Sequence, residues 1–315
     1  MGPPVDSTTV NSQAVNFGDW QCPVCGGTEA APAFRRNTGG LRPTADNFKP
    51  SAEHFGSTAS EVLRCTACGH GSLATMPADT MVMEAYEDAA DPVSLREEPG
   101  QVATAERALA DIERFATPGP MVDLGCWTGS FMVAARNRGW DAVGIEPSDW
   151  ARARAVERGL DARKADLFAH GLPEKSFSLV VLCDVLEHLA DPRAGLGVIA
   201  GLLKPGGALY LTIPNAGSPL ARALGRRWWS VLPMHLQYFT PASLRMALES
   251  SGFSVRSSRS HAKAFTARYY AERLGGYSPQ LARGVVGLVN AVGMSNRMVA
   301  PNFGDRLAVI ATLES

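Results

Sequence analysis

The sequence predicts an α/β protein: a doubly wound, mostly parallel, seven-stranded sheet with a small metal-held domain on its N-terminal side. Three observations carry that prediction. From Met121 onward, short apolar runs alternate with helical segments, the pattern of a sheet covered by helices on both faces. The first of these runs ends in Asp123-Leu124-Gly125-Cys126-Trp127-Thr128-Gly129, a glycine turn that opens into a helix. Upstream, four of the six cysteines form two Cys-x-x-Cys pairs.

Taken in order, residues 1–19 contain Ser, Thr and Pro without periodicity and read as a flexible tail. Residues 20–78 hold the cysteine pairs among glycines and prolines, with little regular pattern, as in a zinc ribbon. Residues 79–117 turn helical, with apolar positions spaced at three and four, and form a linker or cap. Ala116-Thr117-Pro118-Gly119-Pro120 breaks that helix and opens a second domain over 118–315. Its strands are MVDL (121–124), DAVGIE (141–146), ARKADL (162–167), the nearly all-apolar SLVVLCD (178–184), ALYLTIPN (208–215), FSVRSSRS (253–260) and RLAVIATLE (306–314). Helical segments separate most of them, and a Trp- and Arg-rich insertion near 216–235 reads as a lid.

Composition narrows the function classes. A chain of 315 residues with 45% hydrophobic and 19% charged residues is an ordinary globular protein with room for one large and one small core. A net charge of −1 gives no general attraction to nucleic acid or an anionic membrane. The opening Met-Gly-Pro-Pro-Val-Asp lacks the basic and apolar regions of a signal peptide, and Asp6 stands where a myristoylation motif needs Ser or Thr. The apolar tract at Gly284–Met294 falls well short of the ~20 residues of a membrane helix. A cytoplasmic protein is expected.

The glycine turn has the form D-x-G-x-x-x-G, unlike the G-x-G-x-x-G of nicotinamide and flavin enzymes. An acid at the turn suits a cationic ligand better than a pyrophosphate. Glu146 ends the second strand 23 positions after Asp123, near the ~20-residue offset at which an acid reaches ribose hydroxyls. Asp166 follows the third strand. Any one of these acids alone would be read as a turn or cap residue. Together they converge on the crevice at the carboxyl ends of the strands, where open α/β sheets bind ligands.

VDLGCWTG, GIEPS, KADLF, LVVLCDVLEHLADP and LLKPGGALYLTIPN resemble the successive motifs of class I S-adenosylmethionine-dependent methyltransferases, which share a Rossmann-like fold. HLQYFTPASLRMALESSGF is similar to the small-molecule branch that includes ubiquinone O-methyltransferases. The resemblance covers about residues 118–260. It implies Asp123 and Gly125 near the methionine moiety, Glu146 on the ribose and Asp166 on the adenine. Cys126, Trp127, Gly129, Leu167 and Asp184 complete the implied cofactor set. Trp127 departs from the family, which usually has a small residue there.

In a reducing compartment the Cys22-x-x-Cys25 and Cys65-x-x-Cys68 pairs favour metal over disulfides. Four thiolates make a closed tetrahedral site, hence structural zinc. Neither pair starts a helix in a βαβ unit, which argues against a redox motif.

An oxygen acceptor benefits from a base, and two histidines fall at the catalytic edge. His188 follows the fourth strand, and His235 follows the fifth beyond the insertion. Each has a second reading as a loop-fixing hydrogen bond. Asp184 shapes the same turn, while Glu187 also fits as a helix-start acid. Arg226, Arg227, Trp228 and Trp229 in the insertion would bind substrate, the arginines on an anionic group and the indoles on a ring. The competing reading is an amphipathic helix with solvated arginines and core tryptophans. The function expected is methyl transfer to a small polar metabolite such as a sugar, glycan precursor or natural-product intermediate, most simply at oxygen. Alternatives are an RNA methyltransferase gripping RNA with the ribbon, and a non-catalytic S-adenosylmethionine-binding protein. A small-molecule substrate is expected and neither nucleic acid nor membrane; a homodimer is left open.

Overall fold

The computed structural model describes residues 15–16, 18–34, 39–40, 42–49 and 55–314. Most of the tail expected over 1–19 lies outside the described residues.

Seven strands form the central sheet: β1 (Pro120–Leu124), β2 (Asp141–Ile145), β3 (Asp161–Arg163), β4 (Phe177–Cys183), β5 (Leu203–Pro214), β6 (Phe253–Ser260) and β7 (Arg306–Leu313). Their spatial order is β6-β7-β5-β4-β1-β2-β3. Pairing is parallel from β3 through β5, and β7 runs antiparallel to both its neighbours. The carboxyl ends of β1, β2 and β4 therefore open onto one edge, with Asp123 opposite Gly144 and Val181.

Strand β4 shows why these residues form a central strand. Val180 and Leu182 pack on one face, against helices α5 (Pro192–Leu202) and α7 (Pro241–Ser250). Leu179 and Val181 pack on the other, against α2 (Glu98–Ile112) and α3 (Ser130–Asn137). Alternate residues point to opposite faces, and both faces are covered, so the run Leu179–Leu182 is apolar without a break. Helices α5 and α7 start at built caps. Asp191 accepts from the Arg193 and Ala194 amides ahead of Pro192, and Thr240 and Ser243 form a capping box ahead of Pro241.

The segment between ribbon and sheet is two helices, α1 (Asp79–Glu87) and α2, joined by a 3₁₀ stretch at Pro92–Glu97. The Lys204-Pro205-Gly206-Gly207 stretch, a turn by composition, belongs to β5. Gly206 takes a φ of +74° where the register to β4 shifts, so the turn is absorbed as an irregular strand start. Helix α4 (Asp149–Glu157) follows β2, α6 (Pro219–Leu224) follows β5, and α8 (Ala267–Arg273) and α9 (Pro279–Ala291) follow β6. No helix among the described residues is long and apolar enough to cross a membrane.

Upstream, strands at 15–16, 29–32, 62–65 and 71–73 form a second, antiparallel sheet. Its fifth strand is Gln237–Tyr238, which pairs with 71–72 from far along the chain. Trp20, Val24 and Leu63 join the same apolar cluster as Val180 and Leu196, so the two units share one core.

Candidate functional site

The four cysteines come together on two matching turns. In each, the amide of the glycine after the second cysteine (Gly26, Gly69) bonds back to the carbonyl of the first (Cys22, Cys65), at 2.9 and 3.0 Å. Both glycines take φ near +70°, which a side chain would resist. Cys22 Sγ lies 3.6 Å from Cys68 Sγ, and Cys25 Sγ lies 3.5 Å from Cys65 Sγ. All four sulfurs fall within 4.8 Å of one another. Tetrahedral zinc with bonds of ~2.3 Å spaces its sulfurs at about 3.8 Å, so the donor set fits that ion. Burial pushes the Cys22 thiol up to about 11, the penalty a bound dication would reverse.

The carboxyl edge of the sheet opens into a cavity of about 1440 Å³. Asp123, Gly125, Cys126, Trp127, Asp184, His188, Trp229 and His235 all line it. Gly125 has a φ of +76°, and a Cβ there would stand 2.7 Å from Val185 Cγ2, so only glycine leaves the turn open. Asp123 is 2% exposed, and its Oδ1 has no hydrogen-bond partner among the described residues. Burial, with the charge of Glu146 second, raises its carboxyl to about 8. A buried acid facing a cavity with a spare acceptor fits the ammonium or hydroxyl donors of an amino-acid–nucleoside ligand.

Glu146 is fully buried. Its Oε1 accepts from the Ser148 amide at 2.8 Å, and its Oε2 accepts from the Trp127 amide at 2.8 Å and the Tyr86 hydroxyl at 3.5 Å. Burial lifts its carboxyl to about 7 against those bonds. Tyr86, on α1, had no signal of its own in the sequence and reaches this acid across sixty positions. Trp127 holds a left-handed φ of 50°, donates Nε1–H to Ser94 Oγ at 3.3 Å and packs against Trp150. That bond ties the 3₁₀ segment to the glycine turn.

His188 and His235 stand with ring centroids 5.0 Å apart. His188 Nδ1 bonds the Met234 carbonyl at 2.9 Å, and His235 Nδ1 bonds the Ser230 carbonyl at 2.8 Å. A carbonyl only accepts, so both Nδ1 atoms carry the proton and both Nε2 lone pairs are left available. Burial lowers His188 to about 4 and His235 to about 3, the latter helped by its neighbour's charge. Glu187 is 1% exposed, neither of its oxygens has a hydrogen-bond partner among the described residues, and burial raises it to about 8. Donor atoms of Glu187, His188 and His235 lie within 4.8 Å of one another. The trio can accept and pass a proton, and it has the donors to hold a divalent cation.

Asp184 takes a φ of 61° at the end of β4. Its Oδ1 accepts from Thr212 Oγ1 at 3.3 Å and from Arg306, and its Oδ2 from Lys263. Neither cation carried a motif in the sequence.

Several expected site residues lie elsewhere. Arg226 and Arg227 are exposed and line no part of the cavity. Trp228 is 1% exposed and donates Nε1–H to Asp305 Oδ2 at 3.1 Å, making it a core residue rather than a substrate contact. Of the four, only Trp229 faces the cavity. Gly129 caps α3 behind the cavity wall, and Leu167 is buried in the main core. Asp166 Oδ1 accepts from the Phe168 and Ala169 amides at 2.7 and 2.9 Å, closing its own turn outside the lining.

A family described as a methyltransferase domain matches residues 100–258, half of the chain. The ubiquinone biosynthesis O-methyltransferase of Aeromonas salmonicida is 29% identical over 151 residues, which are 43% of this chain and 63% of that one. The protein of the same name from Stutzerimonas stutzeri is 34% identical over 103 residues, 30% and 44% of the two chains. The chain thus spans less than two thirds of the length of either relative. Among solved structures, an S-adenosylmethionine-dependent methyltransferase from Mesorhizobium loti is 22% identical, with a TM-score of 0.45 over 67% of this chain and 99% of that one. On the match over residues 100–258, the chain belongs to the methyltransferase-domain family.

Proposed function

We propose that the protein moves a methyl group from S-adenosylmethionine to an oxygen of a small metabolite, with structural zinc in the Cys22–Cys25–Cys65–Cys68 site. The carrying observation is the convergence of an unpartnered buried Asp123, the open Gly125 turn and two histidine Nε2 lone pairs on one cavity. When bound, the cofactor supplies an electrophilic methyl on a sulfonium. Asp123 and Gly125 would hold its methionine part and Glu146 its ribose. His235, with Nδ1–H fixed on the Ser230 carbonyl, would accept the acceptor's hydroxyl proton at Nε2 as the oxygen–methyl bond forms. Its low basicity keeps the Nε2 lone pair free throughout the neutral range. The apolar walls, helix α1 and Trp229 would exclude water, leaving the chain to supply mainly alignment.

On this reading residues 20–78 are a zinc ribbon, 79–117 a cap and 118–315 the catalytic domain, and the acceptor belongs among sugars, glycan precursors or natural-product intermediates. The decisive experiment gives zinc-loaded protein methyl-labelled S-adenosylmethionine and a metabolite extract, with and without RNase, and follows the label by mass spectrometry. Label on an RNase-insensitive small molecule supports the reading. Label that disappears with RNase replaces it with an RNA methyltransferase.

A further inference from the structure

The cavity contains one cluster that alignment and proton transfer leave unused. Lys263, from the segment between β6 and α8, and Arg306, the first residue of β7, both pair with the single carboxylate of Asp184. One anion compensates one cation, so a positive charge is left over in a part-buried site where the Lys263 and Arg306 side chains are 31% and 19% exposed. Arg306 Nε is buried without a hydrogen-bond partner among the described residues. The other acids of the lining do not restore the balance. Asp123 and Glu187 are driven towards their neutral forms by burial, and Asp305 forms no ion pair with either cation among the described residues, its Oδ2 accepting instead from the Trp228 indole. Burying an uncompensated charge is costly unless a partner arrives to pair with it. The same cavity wall carries the aromatic side chains of Phe265, Tyr269, Tyr270 and Phe303. Tyr270 also ties the cluster down, its hydroxyl bonding the Lys263 carbonyl at 2.6 Å.

We propose that Lys263 and Arg306 form an anion subsite in the acceptor half of the cavity, and that the acceptor is an acid: an apolar or aromatic body bearing a phosphate or carboxylate. This deepens the methyl-transfer reading and rests on it. The subsite takes over the role that the sequence suggested for Arg226 and Arg227. Lys263 and Arg306 fork onto the acid, Asp184 keeps the pair oriented, and the acceptor hydroxyl is set against His235.

Titration of the zinc-loaded chain with phenyl phosphate and with phenol, its uncharged counterpart, tests the subsite directly. Both are run with and without S-adenosylhomocysteine. Phenyl phosphate should bind at least about tenfold more tightly, since a hydrogen bond to a charged group is worth roughly that much. Lys263→Gln should remove most of the difference and Lys263→Arg restore it, with thermal melting confirming that both variants fold. Equal binding of phenol and phenyl phosphate overturns the subsite. So does a Lys263→Gln variant that loses S-adenosylhomocysteine but keeps phenyl phosphate, because the cations then serve the cofactor's carboxylate. Failure of the wild-type chain to bind S-adenosylhomocysteine would overturn the methyl-transfer reading instead, while the phosphate–phenol comparison still judges the subsite.

Discussion

The central sheet and the ribbon divide the work of holding this chain together in opposite ways. Strand β4 is packed on both faces by helices whose spacing was visible in the sequence, and its side chains need no partner beyond other apolar groups. The ribbon has short strands of two to four residues, turns at Gly26 and Gly69, and four sulfurs converging on a point. Its sulfurs are spaced as a tetrahedral ion would need them. The difference teaches where ligand loss will be felt. Yet the halves are laced together by Gln237, which receives His70 Nε2–H at Oε1 (2.9 Å) and donates to the Leu189 and Ala190 carbonyls at 2.9 and 3.1 Å. Leu189 follows His188, and Gln237 lies two positions after His235.

On the proposed zinc reading, the largest effect should come from stripping the metal or from Cys65→Ser. Structural zinc sites of this type contribute ~10–16 kcal/mol to the folding of isolated fingers, so the ribbon should lose its order. Hydrogen exchange should then show rapid exchange over 62–73 and partial loss around 188–190 and 235–238, with β1, β4 and β5 still protected. If β4 opened together with the ribbon, the contrast between the two regions would collapse.

Next in size is His235→Gln. Losing a general base costs ~10²–10⁴ in turnover, and S-adenosylhomocysteine affinity should not change, because the imidazole is held by Ser230 rather than by the cofactor turn. A parallel loss of cofactor affinity would make His235 a loop-fixing residue.

A moderate effect concerns pH and cofactor-free protein. Asp123 and Glu187 have carboxyls raised to about 8, so the stability they contribute is complete below the ordinary carboxylate range and is lost as pH rises through about 8. His188 and His235 act in the opposite sense, and their contribution is lost as pH falls through about 4 and 3. The melting temperature should therefore drop between pH 6.5 and 8.5, and Asp123→Asn should flatten that drop. An unchanged slope in the variant would show that Asp123 titrates normally.

The smallest effect is expected from Arg226→Ala with Arg227→Ala, whose exposed side chains should leave acceptor binding within about twofold and stability within about 0.5 kcal/mol. A large loss of acceptor affinity would bring the insertion back to the substrate.

What the sequence made legible follows the same division. A nearly unbroken apolar run revealed β4, and doubled Cys-x-x-Cys spacing revealed the sulfur cluster, because each is a local signal. Asp123, Gly125, Asp184, His188 and His235 could be placed at one edge because each follows a strand end. Lys263 and Arg306 reach Asp184 across 79 and 122 positions, and an isolated cation in a loop or at a strand start announces no such contact. Trp228 was misread for a related reason. An indole beside two arginines resembles a binding surface until its N–H is seen to be taken by Asp305.

If Glu146 holds the ribose as proposed, the Tyr86 hydroxyl, 3.5 Å from its Oε2, stands where a ribose hydroxyl would bond. Cofactor entry, on the proposed reading, is an exchange reaction in which one donor replaces another. Affinity then reports only the difference between the two bonds, and the departing product is helped out by the returning phenol. A Tyr86→Phe chain should gain in residence time what it loses in turnover frequency.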